Sequence, residues 1–328
     1  MTRFGYALSS EEHAPADLVR NAALAEEAGF EFALISDHFH PWVDAQGHSP
    51  FVWSVLGGIA RETSRLEVGT GVTCPMIRTH PAIIAHAAAT TAELFEGRFF
   101  LGVGTGENLN EHILGDHWPP YEERRQMLIE SIEIMRGLWD GKLFSYRGEN
   151  YVVENARIYD PPSRPLRIMV AAGGPESASA AGEWGDGLIV TSPQSEVIDG
   201  FRQHGGSDKP VYGQLTVCWA ASEAEATETF HRIWPNGGLK GDLSQELPLP
   251  KHFEDAASLV TPESLAEQSP VGPDPERYVS AIREYVDAGI EHVYIHQVGP
   301  DQQGFFRFFR EELQPAIERL TSREPVTA

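Results

Sequence analysis

The chain has little cysteine and less lysine than its length would supply. Cys74 and Cys218 are its two cysteines, far apart and in no metal-ligand or redox spacing. They read as buried packing residues rather than a disulfide or a catalytic thiol. The lysines are Lys142, Lys209, Lys240 and Lys251 alone. Basic residues number 25 against 48 acidic ones, for a formal net charge of −23. A field of that sign repels nucleic acid and anionic membrane surfaces, so neither is expected as a partner. The acids are scattered, which reads as solubility or adaptation to high salt rather than a cationic partner. No apolar run approaches a membrane span, and Met1-Thr2-Arg3 leads straight into a strand without an apolar leader. The expectation is a soluble, cytoplasmic protein. His-Glu-x-x-His, Cys-x-x-Cys and Gly-x-Ser-x-Gly are all missing, so no metal site and no serine hydrolysis is expected.

What is present is alternation. Apolar runs of strand length (Phe4 to Leu8, Phe32 to Ile35, Leu66 to Gly71, Arg98 to Val103, Arg167 to Ala171, Gly187 to Val190, Val211 to Trp219, His292 to His296) are separated by helical patterns. Pro15 and Pro81 open two of the helices, and Gly29 closes the first. Eight strand–helix pairs without a repeat or linker predict one α/β domain over 1–328, a (β/α)8 TIM barrel. The rhythm breaks twice: a hairpin is predicted within 144–158, and 234–273 reads as a long lid-like loop.

In such a barrel the chemistry sits at the C-terminal strand ends. Ser36-Asp37-His38-Phe39-His40-Pro41-Trp42 places a titratable imidazole and an aromatic wall there, although a buried, hydrogen-bonded histidine is the alternative. Gly102-Val103-Gly104-Thr105-Gly106-Glu107-Asn108-Leu109-Asn110 lets backbone approach a flat ligand, with Glu107 and Asn110 at the rim. Glu107 could equally be a helix cap or a surface carboxylate. Ala171-Ala172-Gly173-Gly174-Pro175 joins a strand to a helix N-terminus, where backbone N–H groups suit an anion.

Together these segments resemble the coenzyme F420-dependent glucose-6-phosphate dehydrogenase group of the luciferase-like superfamily, over nearly the full chain. The resemblance implies a deazaflavin laid across the strand ends, its phosphate-bearing tail near Ala171, Ala172, Gly173, Gly174 and Thr191. It implies a non-proline cis peptide at Gly71-Val72 supporting the ring, and cofactor contacts from Asp37, Cys74, Thr105, Gly106 and Asn110. It implies that a carbinol gives hydride to the deazaflavin while His38 takes the hydroxyl proton. Glu107 would serve the ring and Trp42 would wall the substrate. Glu11 and His252 would line the substrate pocket. At the positions where the group holds phosphate with three cations, this chain has Gln194, Lys251 and Gln268. Each charge-assisted hydrogen bond to phosphate is worth roughly 1.5–3 kcal/mol, so losing two weakens a sugar phosphate by about two to four decades. Lys240 and Arg202 are the candidate replacements. The expected reaction is oxidation of a hydroxyl-bearing carbon, in a sugar phosphate such as glucose 6-phosphate or in a related sugar or secondary alcohol. An FMN-dependent monooxygenase and a non-catalytic cofactor carrier are the alternatives. The group is usually dimeric, so a homodimer is expected.

Overall fold

Pro15 starts the first helix and Gly29 stops it. The glycine adopts φ +98°, and its N–H turns back to the carbonyls of Ala25 and Glu26. This helix, α1 (Pro15–Ala28), joins β1 (Arg3–Leu8) to β2 (Phe32–Ile35). The unit then repeats through α2 (Val52–Glu62), β3 (Glu67–Thr70), α3 (Pro81–Leu94), β4 (Phe99–Val103), the short α4 (Asn108–Glu111) and α5 (Tyr121–Trp139). The computed structural model describes residues 2–321. After α5, β5 (Phe144–Arg147) and β6 (Val152–Ala156) pair antiparallel as a separate ribbon. The alternation resumes with β7 (Ile168–Ala171), α6 (Pro175–Trp184), β8 (Gly187–Val190), α7 (Ser195–Phe201), β9 (Val211–Val217) and α8 (Glu223–Ile233). Three short helices, α9 (Leu243–Glu246), α10 (Pro250–Ala257) and α11 (Pro262–Ala266), precede α12 (Pro275–Asp287). Then come β10 (His292–Gln297), α13 (Gln302–Phe308) and α14 (Gln314–Thr321).

Eight strands close in the order β1-β10-β9-β8-β7-β4-β3-β2, all parallel, so the TIM barrel read from the alternation is the architecture found. The strand read as Val211 to Trp219 ends at Val217 instead. Cys218 leaves the barrel ladder, donates its N–H to Pro270 and bridges to Val271. Among the described residues, no helix is long and apolar enough to cross a membrane.

Pleating sends alternate residues of each strand inward. Ala7, Phe32, Leu34, Phe100, Met169, Ile189, Tyr212 and Tyr294 form the buried interior. Large rings fit because their neighbours are small. A Cβ on Gly5 would lie 2.3 Å from the Phe32 ring, and one on Gly69 would lie 2.1 Å from Phe100. The lower end is plugged by Glu67, which accepts from Arg3 (3.0 Å) and Arg167 (2.6 Å). Carrying the same inward parity upward reaches Ser9, Ser36, Thr216 and His296. The interior is therefore aromatic below and polar at the C-terminal mouth.

Candidate active site

His38 lies just past the end of β2, in a loop pinned from the segment after β4, two strands along the mouth. The Asn110 side-chain oxygen, from α4, accepts the N–H groups of Phe39 (2.9 Å) and His40 (3.2 Å). The imidazole is 9% exposed. Its Nδ1 stands 3.2 Å from the carbonyl oxygen of His40. A carbonyl only accepts, so Nδ1 carries the proton and the neutral ring presents a lone pair at Nε2. That Nε2 lies 3.3 Å from Glu11 Oε1 and 3.7 Å from Glu107 Oε2. A lone pair facing two carboxylates is poorly matched, whereas a proton placed there is held by both.

Both acids are themselves held. Glu11 is buried, and its Oε2 accepts from the hydroxyls of Ser36 (2.7 Å) and Ser9 (3.0 Å). Burial pushes the Glu11 carboxyl up, but His38 and the hydroxyl and backbone donors pull it further down, to a net value below the ordinary range. Glu107 occupies the residue before α4 without capping that helix. Its Oε2 instead accepts from the Asn110 amide at 2.9 Å. Asn110 therefore ties the loop after β2 to the carboxylate after β4. Trp42 covers this group, its ring 4.9 Å from that of His38 and 5.2 Å from that of Phe253 in α10. Val43, Leu109, Leu239 and Leu247 join the same apolar cluster.

A second layer lies beneath. Asp37 accepts from the Thr73 hydroxyl (2.8 Å) and from Arg78 Nη2 (3.0 Å). Arg78 also reaches Glu111 through Nε at 3.3 Å and through its own backbone N–H at 2.8 Å. Burial raises the Glu111 carboxyl to about 6, even though Arg78 opposes the shift. Burial also drives the Cys74 thiol well up, with Glu111 adding to it. Gly106 packs here with φ +75°, and a Cβ on it would lie 2.6 Å from Cys74 Sγ. On the opposite side, His296 of β10 meets Glu12 at 2.8 Å, both buried, with Trp234 edge-on to the imidazole.

The Gly71–Val72 bond is cis. Val72 and Ala171 pack onto the top of the barrel interior. A Cβ on Gly104 would lie 2.8 Å from Val72 and 3.5 Å from Ala171, so three strand ends converge there. Thr105 is half-buried, Ala172 is buried, and Gly173 and Thr191 are exposed. A Cβ on Gly173 or Gly174 would meet nothing within 4 Å. That leaves open space in front of the ten-residue α6.

The structure thus gathers His38, Glu11, Glu107, Asn110 and Trp42 into one constellation, with Asp37, Cys74 and Gly106 behind it. It does not bring Gln194, Lys251 or Gln268 to His38. Lys251 is exposed and pairs with Asp255 in its own helix at 2.6 Å. It precedes Phe253 by two residues, about 200° around the helix, so it faces away from Trp42. His252 is exposed on the same helix. Gln268 is exposed and bonds the Ser264 carbonyl, and Gln194 is exposed and bonds the Ser192 hydroxyl. Arg202 binds the carbonyls of Gly206, Ser207 and Lys209, together with Glu291. These lie at the start of β9 and β10, the end of the barrel away from His38. Ser9, Ser36, Glu12, His296, Arg78 and Glu111 were missed from the sequence. Inward parity would have found Ser9, Ser36 and His296; nothing local marks Arg78 or Glu111.

Residues 1–292 match the luciferase-like monooxygenase family. The chain is 38% identical to the F420-dependent glucose-6-phosphate dehydrogenase of Segniliparus rotundus, covering 97% of this chain and 98% of that one. It is 36% identical to the enzyme of the same name from Mycolicibacterium gilvum, with the same coverage. Among solved structures, an F420-dependent secondary alcohol dehydrogenase in complex with an F420-acetone adduct superposes with a TM-score of 0.89 at 27% identity, covering 96% of this chain and 99% of that one. The chain belongs to the luciferase-like monooxygenase family, in the group of the F420-dependent glucose-6-phosphate dehydrogenases.

Proposed function

We propose that this F420-dependent oxidoreductase acts on a CH–OH carbon lodged between Trp42 and the end of β3, with His38 Nε2 as the base. One observation carries the reading: Nδ1 is committed to a carbonyl, and Nε2 stands between two carboxylates at 3.3 and 3.7 Å. F420, when bound, supplies the hydride acceptor. Val72, Gly104, Thr105, Gly106 and Ala171 would form the ring floor. Gly173, Gly174, Ala172 and Thr191 would take the anionic tail, with the first-turn N–H groups of α6 as donors. The open space at Gly173 and Gly174 fits that role. Asp37, Cys74 and Asn110 act from behind, because the oxygens of Asp37 and Asn110 are already occupied and Cys74 is buried.

In this reading His38 takes the hydroxyl proton, and Glu11 and Glu107 hold the imidazolium that results. Glu11 positions His38 rather than binding a substrate hydroxyl, since both its oxygens have partners. Segment 234–273 is the cover that brings Phe253 and Leu239 onto Trp42. The protein works in the cytoplasm as a homodimer. Phe51, Ile83 and Leu94, beside or on α2 and α3 and 63, 60 and 49% exposed, are the contact face this reading favours.

The test is anaerobic turnover, followed as loss of oxidised-F420 absorbance, for His38→Gln. Turnover falls at least a hundredfold while F420 affinity holds, as expected for a general base contributing about 10²–10⁴. A variant with wild-type turnover removes His38 as the base.

A further inference from the structure

We propose that Gln46 is a positioning residue for the reaction: its one buried amide sets Trp42 over His38 and fastens the cover to the loop that carries both. The inference rests on the function proposed above and adds to it a residue that touches neither substrate nor F420. Gln46 is buried, at the end of a turn closed by its N–H to the Val43 carbonyl at 3.1 Å. Its Oε1 accepts the backbone N–H of Trp42 at 2.8 Å. Its Nε2 donates to the Ile233 carbonyl at 3.1 Å and lies 3.4 Å from Asn236 Oδ1. Ile233 is the last residue of α8, so its carbonyl has no partner within the helix. The Trp42 N–H belongs to no helix or strand. One side chain thus satisfies two backbone groups that secondary structure leaves open, on two different loops.

Both groups bear on the Trp42 indole. The ring stands 4.9 Å from His38 and 5.2 Å from Phe253 of the cover. The root of the cover is seated from a second direction as well. Trp234, next to Ile233, packs edge-on to His296 at 4.5 Å, and Glu12 holds that imidazole at 2.8 Å. Farther along, Asn108 Nδ2 donates to the Glu246 carbonyl at 3.0 Å, and Arg124 donates to Gln245 Oε1 at 3.0 Å. The cover therefore stays attached without Gln46, while Trp42 loses the partner of its N–H. The side-chain bonds of His38, Glu11 and Glu107 do not involve Gln46. Its removal shifts the aromatic wall and leaves the base in place.

The experiment measures kcat and KM of the F420-loaded enzyme for glucose 6-phosphate and cyclohexanol in Gln46→Leu, Trp42→Ala and the double variant. F420 affinity is followed by fluorescence, and Trp42 amide exchange by NMR. In Gln46→Leu, kcat/KM should fall about tenfold to a hundredfold, the scale of a misplacement near 1 Å. The loss should be carried mainly by KM, with F420 affinity unchanged, and the Trp42 amide should exchange at least about tenfold faster. In the Trp42→Ala background the same substitution should cost less than about twofold, because the ring it positions is gone. Gln46→Glu keeps an acceptor for Trp42 but sets a carboxylate against two oxygens. It should retain amide protection and lose kcat/KM only several-fold, and it replaces Gln46→Leu in the cycle if urea melts show that variant unfolded. The inference is overturned, with the parent reading intact, if the Gln46 variant keeps kcat/KM within twofold while Trp42→Ala does not, or if its loss persists in full without the indole. If Trp42→Ala itself turns over like wild type, or neither alcohol is oxidised, the parent reading fails as well.

Discussion

Replacing Glu11 by glutamine separates two roles that one carboxylate could play. In the native site Oε2 receives the hydroxyls of Ser9 and Ser36, and Oε1 stands 3.3 Å from His38 Nε2. A glutamine of the same shape keeps its carbonyl oxygen on the two serines, which leaves its NH2 aimed at Nε2. The variant loses a charge-assisted hydrogen bond to the imidazolium, about 1.5–3 kcal/mol, and gains a neutral one to the free base, about 0.5–1.5 kcal/mol, that must break when the proton arrives. Together these raise the barrier by about 2–4.5 kcal/mol, or roughly 30-fold to 2000-fold in kcat. Glu107 remains at 3.7 Å, so the loss should fall toward the lower bound. The assay is anaerobic steady-state F420 reduction at saturating cofactor. KM for the alcohol and affinity for F420 should hold, because Glu11 reaches neither. A kcat within threefold of wild type, combined with a tenfold rise in KM, would refute the reasoning and make Glu11 a substrate-binding group.

Further outcomes follow from the surrounding layer. Glu111 has a folded pKa of about 6 against an ordinary 4.5, so the folded state binds more protons between those values. Stability therefore declines as pH rises from about 4.5 to 6, by up to about 2 kcal/mol from this group. Urea melts of Glu111→Gln should lack that slope. Arg78→Met strips Asp37 and Glu111 of their shared cation and should destabilise by about 3–5 kcal/mol at neutral pH; in Arg78→Met/Glu111→Gln the urea midpoint should recover in part. Gly174→Ala meets open space, so its melting temperature should match wild type while F420 affinity falls, and unchanged affinity would remove α6 as the tail site. Burial pushes Cys74 well up and Cys218 to about 12. A thiol reagent should therefore label neither until the protein unfolds.

Much of this protein was legible in its residue order, because the signals involved are local. Pro81, the alanine-rich face and Leu94 bound α3 as read, and the apolar runs at Phe32 and Gly187 became β2 and β8, since helix starts, stops and pleat-period burial depend on near neighbours. The chemistry-bearing segments could be placed at strand ends for the same reason. Which groups face one another could not be. Glu11 and Glu107 meet at His38, and Asp37, Arg78 and Glu111 share one buried charge network, only because barrel closure sets the loops after β1 to β4 side by side. Lys251 shows the converse. The family resemblance implied a phosphate grip for it, yet the rotation of α10 that seats Phe253 on Trp42 turns that ammonium outward. Covalent order specifies segments through short-range sterics and burial period. Distances across the mouth come from the closed sheet, which no single segment contains.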